Sequence, residues 1–403
     1  MGAISGIDWA SEWHDVRISE GDGTVLLEER FTHDEAGIGE LVEVLLDHRV
    51  ECCAIERPDG LLVGRLLAAG ICVLAIHPNQ VKAARDRYRA AAGKSDRFDA
   101  MVLCELARTD RHRFPALTSS SDQTTALKTF VRTREDLVTA RVALANQLRA
   151  QLDAFWPGAA HIFADVDSQI GLAFLERYPA PHDARGLGER RLENFLSSHS
   201  YSGHRPANEL LYRLRNAPIS ITGEHECEAR RAAVLSIVAA LRPIVEQIGQ
   251  LTSQIARAIR THPDGPTFLS FFRDRKSVIT AAGLLAEIGD NRARYPRAET
   301  LAADAGQTPV AIESGKRRTA TFRWACDKRL RAHVSVLADT TRHHHPWARD
   351  IYQRARDRGC DHPHAIRILG RAWTRILWRC WQDHTTYQPT KHHALNKLLT
   401  QQG

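Results

Sequence analysis

The chain has 403 residues, a net charge of +7 with histidine neutral, 43% hydrophobic residues and 26% charged ones. That length leaves room for two or three domains, and those proportions are expected of a soluble globular protein. No apolar run approaches the roughly 20 residues of a membrane span, no secretory signal pattern opens the chain, and the eight cysteines are scattered without a Cys-x-x-Cys pair, so a cytoplasmic location is expected.

Charge is distributed unevenly. Residues 1–115 hold 14 Lys and Arg against 20 Asp and Glu, 116–255 hold 15 against 15, and 256–403 hold 26 against 13. An acidic head and a basic tail suggest metal chemistry at one end and polyanion binding at the other, with a solvated basic surface as the plainer alternative.

Residues 1–115 read as an α/β domain, with strands expected at 4–8, 14–19, 24–30, 50–56 and 71–77 and helices at 36–48, 61–69, 79–92 and 96–109. Glu20-Gly21-Asp22-Gly23 is a hairpin signal between the second and third strands. Three hairpin-linked strands followed by alternating helices and strands is the order of an RNase H-like (RuvC-like) domain.

Asp96 and Asp99 open the last of these helices and share one face. Asp8 and Glu56 end two short apolar strands. Together the four could hold Mg²⁺, since two such ions about 3.5–4 Å apart stabilise the attacking and leaving oxygens of a phosphoryl displacement and need several carboxylate oxygens. Taken singly, Asp96 and Asp99 also suit a helix N-terminus, and Glu56-Arg57 a surface pair. Sugar-kinase and actin-like ATPases share the topology. Their phosphate loop needs a Gly/Thr turn after the first strand, where this chain has Trp9-Ala10-Ser11-Glu12-Trp13.

Residues 116–260 read as a helical, coiled-coil domain with an inserted lobe. One long helix is expected from about Asp122 to Phe155, with Arg134 and Arg141 falling in its apolar seam. A second carries Val234, Ile237, Leu241, Ile244, Ile248, Leu251 and Ile255 in alternating steps of three and four, and Pro243 is expected to kink it. The seam specifies helix pairing and leaves open whether the partner is the first helix or another chain. Residues 157–225 read as a helical lobe.

Residues 261–403 form the basic third and read as mainly helical. A helix at 281–290 should stop at its last glycine, and another is expected at about 298–305. Ser314 then sits in an extended segment ahead of Gly315, Lys316, Arg317 and Arg318. A serine hydroxyl needs help to attack, and these cations with Arg323 suit a phosphate; an ordinary basic turn has the same composition. In the tail, His343-His344-His345 and Cys360-Asp361-His362-Pro363-His364 lack a paired half at zinc-site spacing and read as exposed loop histidines. Trp373, Leu377, Cys380 and Trp381 make one stripe of an amphipathic helix, opposite Arg371, Arg375 and Arg379.

Lys94-Ser95-Asp96-Arg97-Phe98-Asp99-Ala100, with Leu284-Leu285-Ala286-Glu287-Ile288-Gly289-Asp290 and Glu313-Ser314-Gly315-Lys316, resembles the insertion-sequence transposases that join a RuvC-like Asp-Glu-Asp-Asp domain to a C-terminal transposase domain. Piv-type DNA invertases are relatives of that family. The resemblance implies that Asp8, Glu56, Asp96 and Asp99 bind Mg²⁺ and that Ser314 attacks a DNA phosphate to form a phosphoserine link. It further implies a structured bridge RNA that pairs with donor and target DNA, and a homo-oligomer, dimer or tetramer, in which the acids of one subunit meet the serine of another. It implies action at the nucleoid. Where the family commonly has Pro-Gly-Ile-Gly, this chain has Asp274-Arg275-Lys276-Ser277, so the DNA contact is expected either to pass to Arg275 and Lys276 or to be lost. Two other readings stay open: a hydrolytic Holliday-junction-type endonuclease using only the acids, and an inactive nucleic-acid-binding scaffold.

Overall fold

A computed structural model describes residues 2–88, 95–114, 116–218, 220–273, 277–314 and 317–402. The chain divides into two compact units, one of residues 1–121 with 289–300 and one of 122–288 with 301–403.

The first unit is built on a mixed sheet of β1 (Ile4–Trp9), β2 (Trp13–Ser19), β3 (Val25–Thr32), β4 (Cys52–Ile55) and β5 (Val73–Ala75), in the order β3-β2-β1-β4-β5. β1, β2 and β3 pair antiparallel; β4 is parallel to β1, and β5 to β4. Alternation of side chains sorts the sheet into two faces. Ile7, Val16, Cys53 and Ile55 pack with residues of α1 (Glu35–Asp47) and α2 (Leu61–Ala68). Ile4, Cys52, Ala54 and Leu74 pack with residues of α3 (Pro78–Tyr88) and α4 (Asp96–Asp110). The α/β order expected for this segment is the order that forms.

Gly6 decides how close α4 comes. A Cβ at this position would stand 2.2 Å from the Ala100 carbonyl oxygen and 2.3 Å from the Cys104 amide nitrogen. Strand and helix therefore meet backbone to backbone. No larger residue fits without moving one of them.

The second unit is mainly helical, and most of the expected 116–260 and 261–403 segments lie in it. Its axis is a pair of long helices, α5 (Asp122–Phe155) and, after the lobe helices α6 (Pro157–His161), α7 (Gln169–Arg177), α8 (Glu189–Ser198) and α9 (Ala207–Arg215), α10 (Glu224–Thr261). Arg134 donates to the Thr252 hydroxyl and Arg230 to Gln151, so the two run antiparallel. Val234, Leu241, Ile248 and Ile255 of the expected seam are buried, and α5 is the chief neighbour of α10. The chain thus supplies a partner for its own seam. Of the two seam arginines, Arg134 is taken up by Thr252 and Arg141 by Asp167 at 2.5 Å. α10 runs uninterrupted through Pro243. It is also long and apolar enough by composition to cross a membrane, contrary to the sequence expectation, but its seam is spent on packing within the chain.

Then come α11 (Gly265–Leu269), α12 (Val278–Ile288), α13 (Ala298–Asp304), the two-stranded ribbon β6 (Val310–Ser314) and β7 (Arg317–Thr321), and α14 (Lys328–His344), α15 (Pro346–Asp357), α16 (His362–Gln382) and α17 (His393–Gln402). α12 ends at Gly289, whose φ of 83° suits glycine. Glu287 on α12 is fully buried. It accepts from Arg132 of α5 at 2.9 and 2.8 Å, and Lys128 stands 3.8 Å away. Those cations hold its carboxyl below the usual range in spite of burial.

The tail histidines depart from expectation. His343 and His344 close α14 instead of lying in a loop, and His345 is buried with its Nε2 2.8 Å from the Tyr387 hydroxyl. An aromatic cluster of Trp347, Trp373 and Tyr387 surrounds it, and burial pushes it down to about 4. Its chemistry is that of a core residue. Trp373, Leu377 and Trp381 are buried along α16 as expected, while Cys380 is only partly covered.

Candidate carboxylate site and serine hairpin

Asp8 and Glu56 reach the site by the same route. β1 and β4 are parallel and pair Ile7 with Ile55, so the next residues, Asp8 and Glu56, lie at the same level at the ends of adjacent strands. Alternation turns both toward α4, on the face of Ile4 and Ala54. α4 begins at the N-cap Ser95, whose hydroxyl accepts from the Phe98 amide, and its first turn carries Asp96 and Asp99. A helix N-terminus favours such negative charge.

Burial first, and then the charges of Asp99, Asp96, Glu56 and Asp15, push the Asp8 carboxyl up to about 7. The other three predicted acids are therefore close enough to act on Asp8. The structure adds Asp15, which is 1% exposed. The hairpin register sets Asp8 opposite Asp15, and the next strand sets Asp15 opposite Arg30, which donates to both Asp15 oxygens at 3.3 and 2.7 Å. Facing carboxylates repel, and Arg30 offsets that repulsion for Asp15. Arg30 also stands 4.0 Å from Asp96.

Arg85, on α3, is the second residue that sequence reasoning missed. It donates to both oxygens of the buried Asp99 at 2.6 and 2.7 Å and lies 3.6 Å from Glu56. With the side chains so placed, no three His, Cys, Asp or Glu among the described residues are grouped tightly enough to hold a metal ion; Arg85 bridges two of the acids instead. The donor set still suits a hard divalent cation. Carboxylates arrive from two strand ends and one helix N-terminus, which is the oxygen-rich donor set such a cation takes. Hairpin register would have pointed to Asp15, because it fixes what faces Asp8. Nothing in the sequence marks Arg85.

The serine lies in the other unit. Ser314 is the last residue of β6 and pairs with Arg317, the first of β7; Glu313 pairs with Arg318. Lys316, Arg275 and Lys276 lie outside the described residues, as do the side chains of Ser314, Arg317 and Arg318. Arg323, expected on a phosphate, is partly buried and donates from Nε to the Thr308 carbonyl at 3.1 Å, which ties the exit of the ribbon to its entrance.

Residues 5–157 match a transposase family model of the DEDD type, DEDD_Tnp_IS110, and residues 276–353 match the model "Transposase IS116/IS110/IS902 family". A protein named for transposition of the IS117 mini-circle in Streptomyces coelicolor is 31% identical over 401 residues, 96% of each chain. The 42 kDa protein of insertion element IS900 from Mycobacterium paratuberculosis is 27% identical, over 96% of this chain and 97% of its own. The 44.8 kDa protein of insertion element IS116 from Streptomyces clavuligerus is 26% identical, over 95% and 96%.

Proposed function

The chain belongs to the IS116/IS110/IS902 family of DNA transposases, and on that premise we propose that it cuts and rejoins DNA through a phosphoserine link at Ser314, with Mg²⁺ held by Asp8, Glu56, Asp96 and Asp99. The observation that carries this reading is that Asp8 and Glu56, at adjacent strand ends, face the first turn of α4 that carries Asp96 and Asp99. Their order along an α/β chain supports an RNase H-like assignment for the first unit. Asp8, Glu56, Asp96 and Asp99 would hold Mg²⁺ there, and it would supply neutralisation of the charge on the phosphate and the leaving oxygen.

Ser314 Oγ forms a bond to phosphorus while the bond from phosphorus to the departing deoxyribose oxygen breaks. The serine proton passes to a base, and the departing oxygen gains one. The phosphodiester energy stays in the protein link, so the reverse step rejoins the strand to a new end without ATP. Lys316, Arg317 and Arg318 come after Ser314 and Gly315 and bring positive charge to the phosphate that the serine attacks. We take the guide to be a bridge RNA whose pairing selects donor and target while the protein grips backbones. The working form is a homo-oligomer in which acids and serine from different copies act together.

The test is a denaturing-gel assay for a covalent protein–DNA adduct, using element-junction DNA, RNA transcribed from the element's flanks, and Mg²⁺. The adduct should form with the wild type and be absent with Ser314→Ala and with Asp8→Ala. Cutting by Ser314→Ala, with no adduct in the wild type, would replace this reading with the hydrolytic endonuclease.

A further inference from the structure

Just past β7 the chain presents an aromatic pair that the proposed chemistry does not use. Trp324 is 74% exposed and packs edge-to-face on Phe322, with ring centroids 4.8 Å apart. Phe322 in turn carries two guanidinium groups, Arg331 at 5.2 Å and Arg367 at 5.0 Å from its ring centre. Neither arginine has a carboxylate within salt-bridge distance among the described residues, and Asp339 nearby is engaged by Arg342 at 2.7 Å. Phe322, Arg331, Val336, Ile366 and Arg367 line a cavity of about 410 Å³.

An exposed indole costs solvation, and the two guanidinium groups on one ring have no carboxylate partner among the described residues, Arg331 making only a 3.7 Å contact to the Cys326 sulfur. Exposed aromatics beside arginines are how proteins hold unpaired nucleotides, with bases stacked on rings and phosphates on guanidinium groups. We propose that Trp324 and Phe322, with Arg331 and Arg367, form a stacking site for an unpaired base of the DNA strand on which the chain acts. The ribbon gives the distance. Phe322 follows Thr321, which pairs with Val310, and Ser314 lies four residues along β6, roughly 14 Å at strand spacing. That span is about four base steps of stacked DNA. Resting on Ser314 as the attacking residue, the site takes a base about four steps from the scissile phosphate and holds that stretch of strand open.

The experiment is fluorescence anisotropy with the full chain and three labelled DNAs: single-stranded oligo-dT, a fully paired duplex, and that duplex with one unpaired thymidine. Trp324→Ala should weaken binding of the single strand and of the unpaired-thymidine duplex about tenfold and of the paired duplex less than about twofold. Trp324→Phe, which keeps a ring, should restore most of the loss. An equal loss on all three DNAs would overturn the proposal, since it would mark a general electrostatic effect. So would a change in subunit number by light scattering, which would make the patch a contact between copies, or a larger loss on oligo-U RNA than on oligo-dT. The adduct assay is read separately, so a missing adduct with intact Trp324-dependent binding sinks the serine chemistry alone. A Ser314-dependent adduct with no Trp324 effect sinks the stacking site alone.

Discussion

At the carboxylate site the acids project from elements packed into a core, whereas Ser314 ends a two-stranded ribbon whose residues 310–313 and 319–321 are all exposed. Asp99 is 2% exposed on the buried face of its helix, and Asp8 and Glu56 stand at the ends of strands in the middle of a five-stranded sheet. An isolated ribbon gains little from its own two strands. The difference teaches that one half of the proposed chemistry is positioned by packing and the other half by whatever the ribbon grips. Stability should therefore report on the acids and be nearly blind to the serine.

The sharpest way to break that contrast is Gly6→Ala. The added methyl meets backbone on α4, which cannot rotate aside, so the expected loss is more than about 4 kcal/mol, seen as a lower urea midpoint. If Gly6→Ala melts like the wild type, strand and helix are not held as tightly as the contrast requires. Next is Arg85→Ala, which leaves buried Asp99 without its two-pronged partner and should cost about 3 kcal/mol in EDTA. Added Mg²⁺ should raise the melting temperature of this variant more than that of the wild type, because the arginine and a cation compete for the same oxygens. Equal Mg²⁺ effects on both would remove Arg85 from the site.

A smaller effect, of opposite sign, is expected at Asp8. It titrates near about 7 in the fold against an ordinary value of 3.8. Between those values the folded chain holds more protons than the unfolded chain, so this contribution to stability is full below about pH 4 and lost as pH rises through about 7. Asp8→Asn should therefore be more stable than the wild type at pH 8 in EDTA, by about 1–2 kcal/mol after allowance for solvent screening, and by less than about half of that at pH 5. Urea melts at the two pH values decide it. Least of all is Ile312→Thr on the ribbon, where the side chain is 48% exposed and the change in stability should stay within about 0.5 kcal/mol.

Legibility in the sequence followed the same divide. The five strands and the helices of the first unit appeared in the expected order because each is a short apolar run or a period-3.6 stripe bounded by turn residues, and the four acids sat at ends of those runs. Asp15 escaped because the register that sets it opposite Asp8 has to be worked out across the hairpin, and Arg85 because its place depends on the packing of α3, which no local pattern states. His345 was misread for a related reason. Three consecutive histidines look like a solvated loop, yet the third is enclosed by Trp347, Trp373 and Tyr387, two of which lie far along the chain. The seam of α10 was visible, but its partner α5 was not, since a heptad pattern says that a helix pairs and not with what.

Glu287 sets a limit on how this protein can be divided. It lies in the region matched by the second family model, yet its charge is matched by Arg132 and Lys128 of α5, in the region matched by the first. Swapping the C-terminal third between relatives, by recombination or by an engineer, would leave a carboxylate buried among strangers unless α5 travelled with it. The heritable module is not the segment that carries the serine but that segment together with a helix more than a hundred residues upstream.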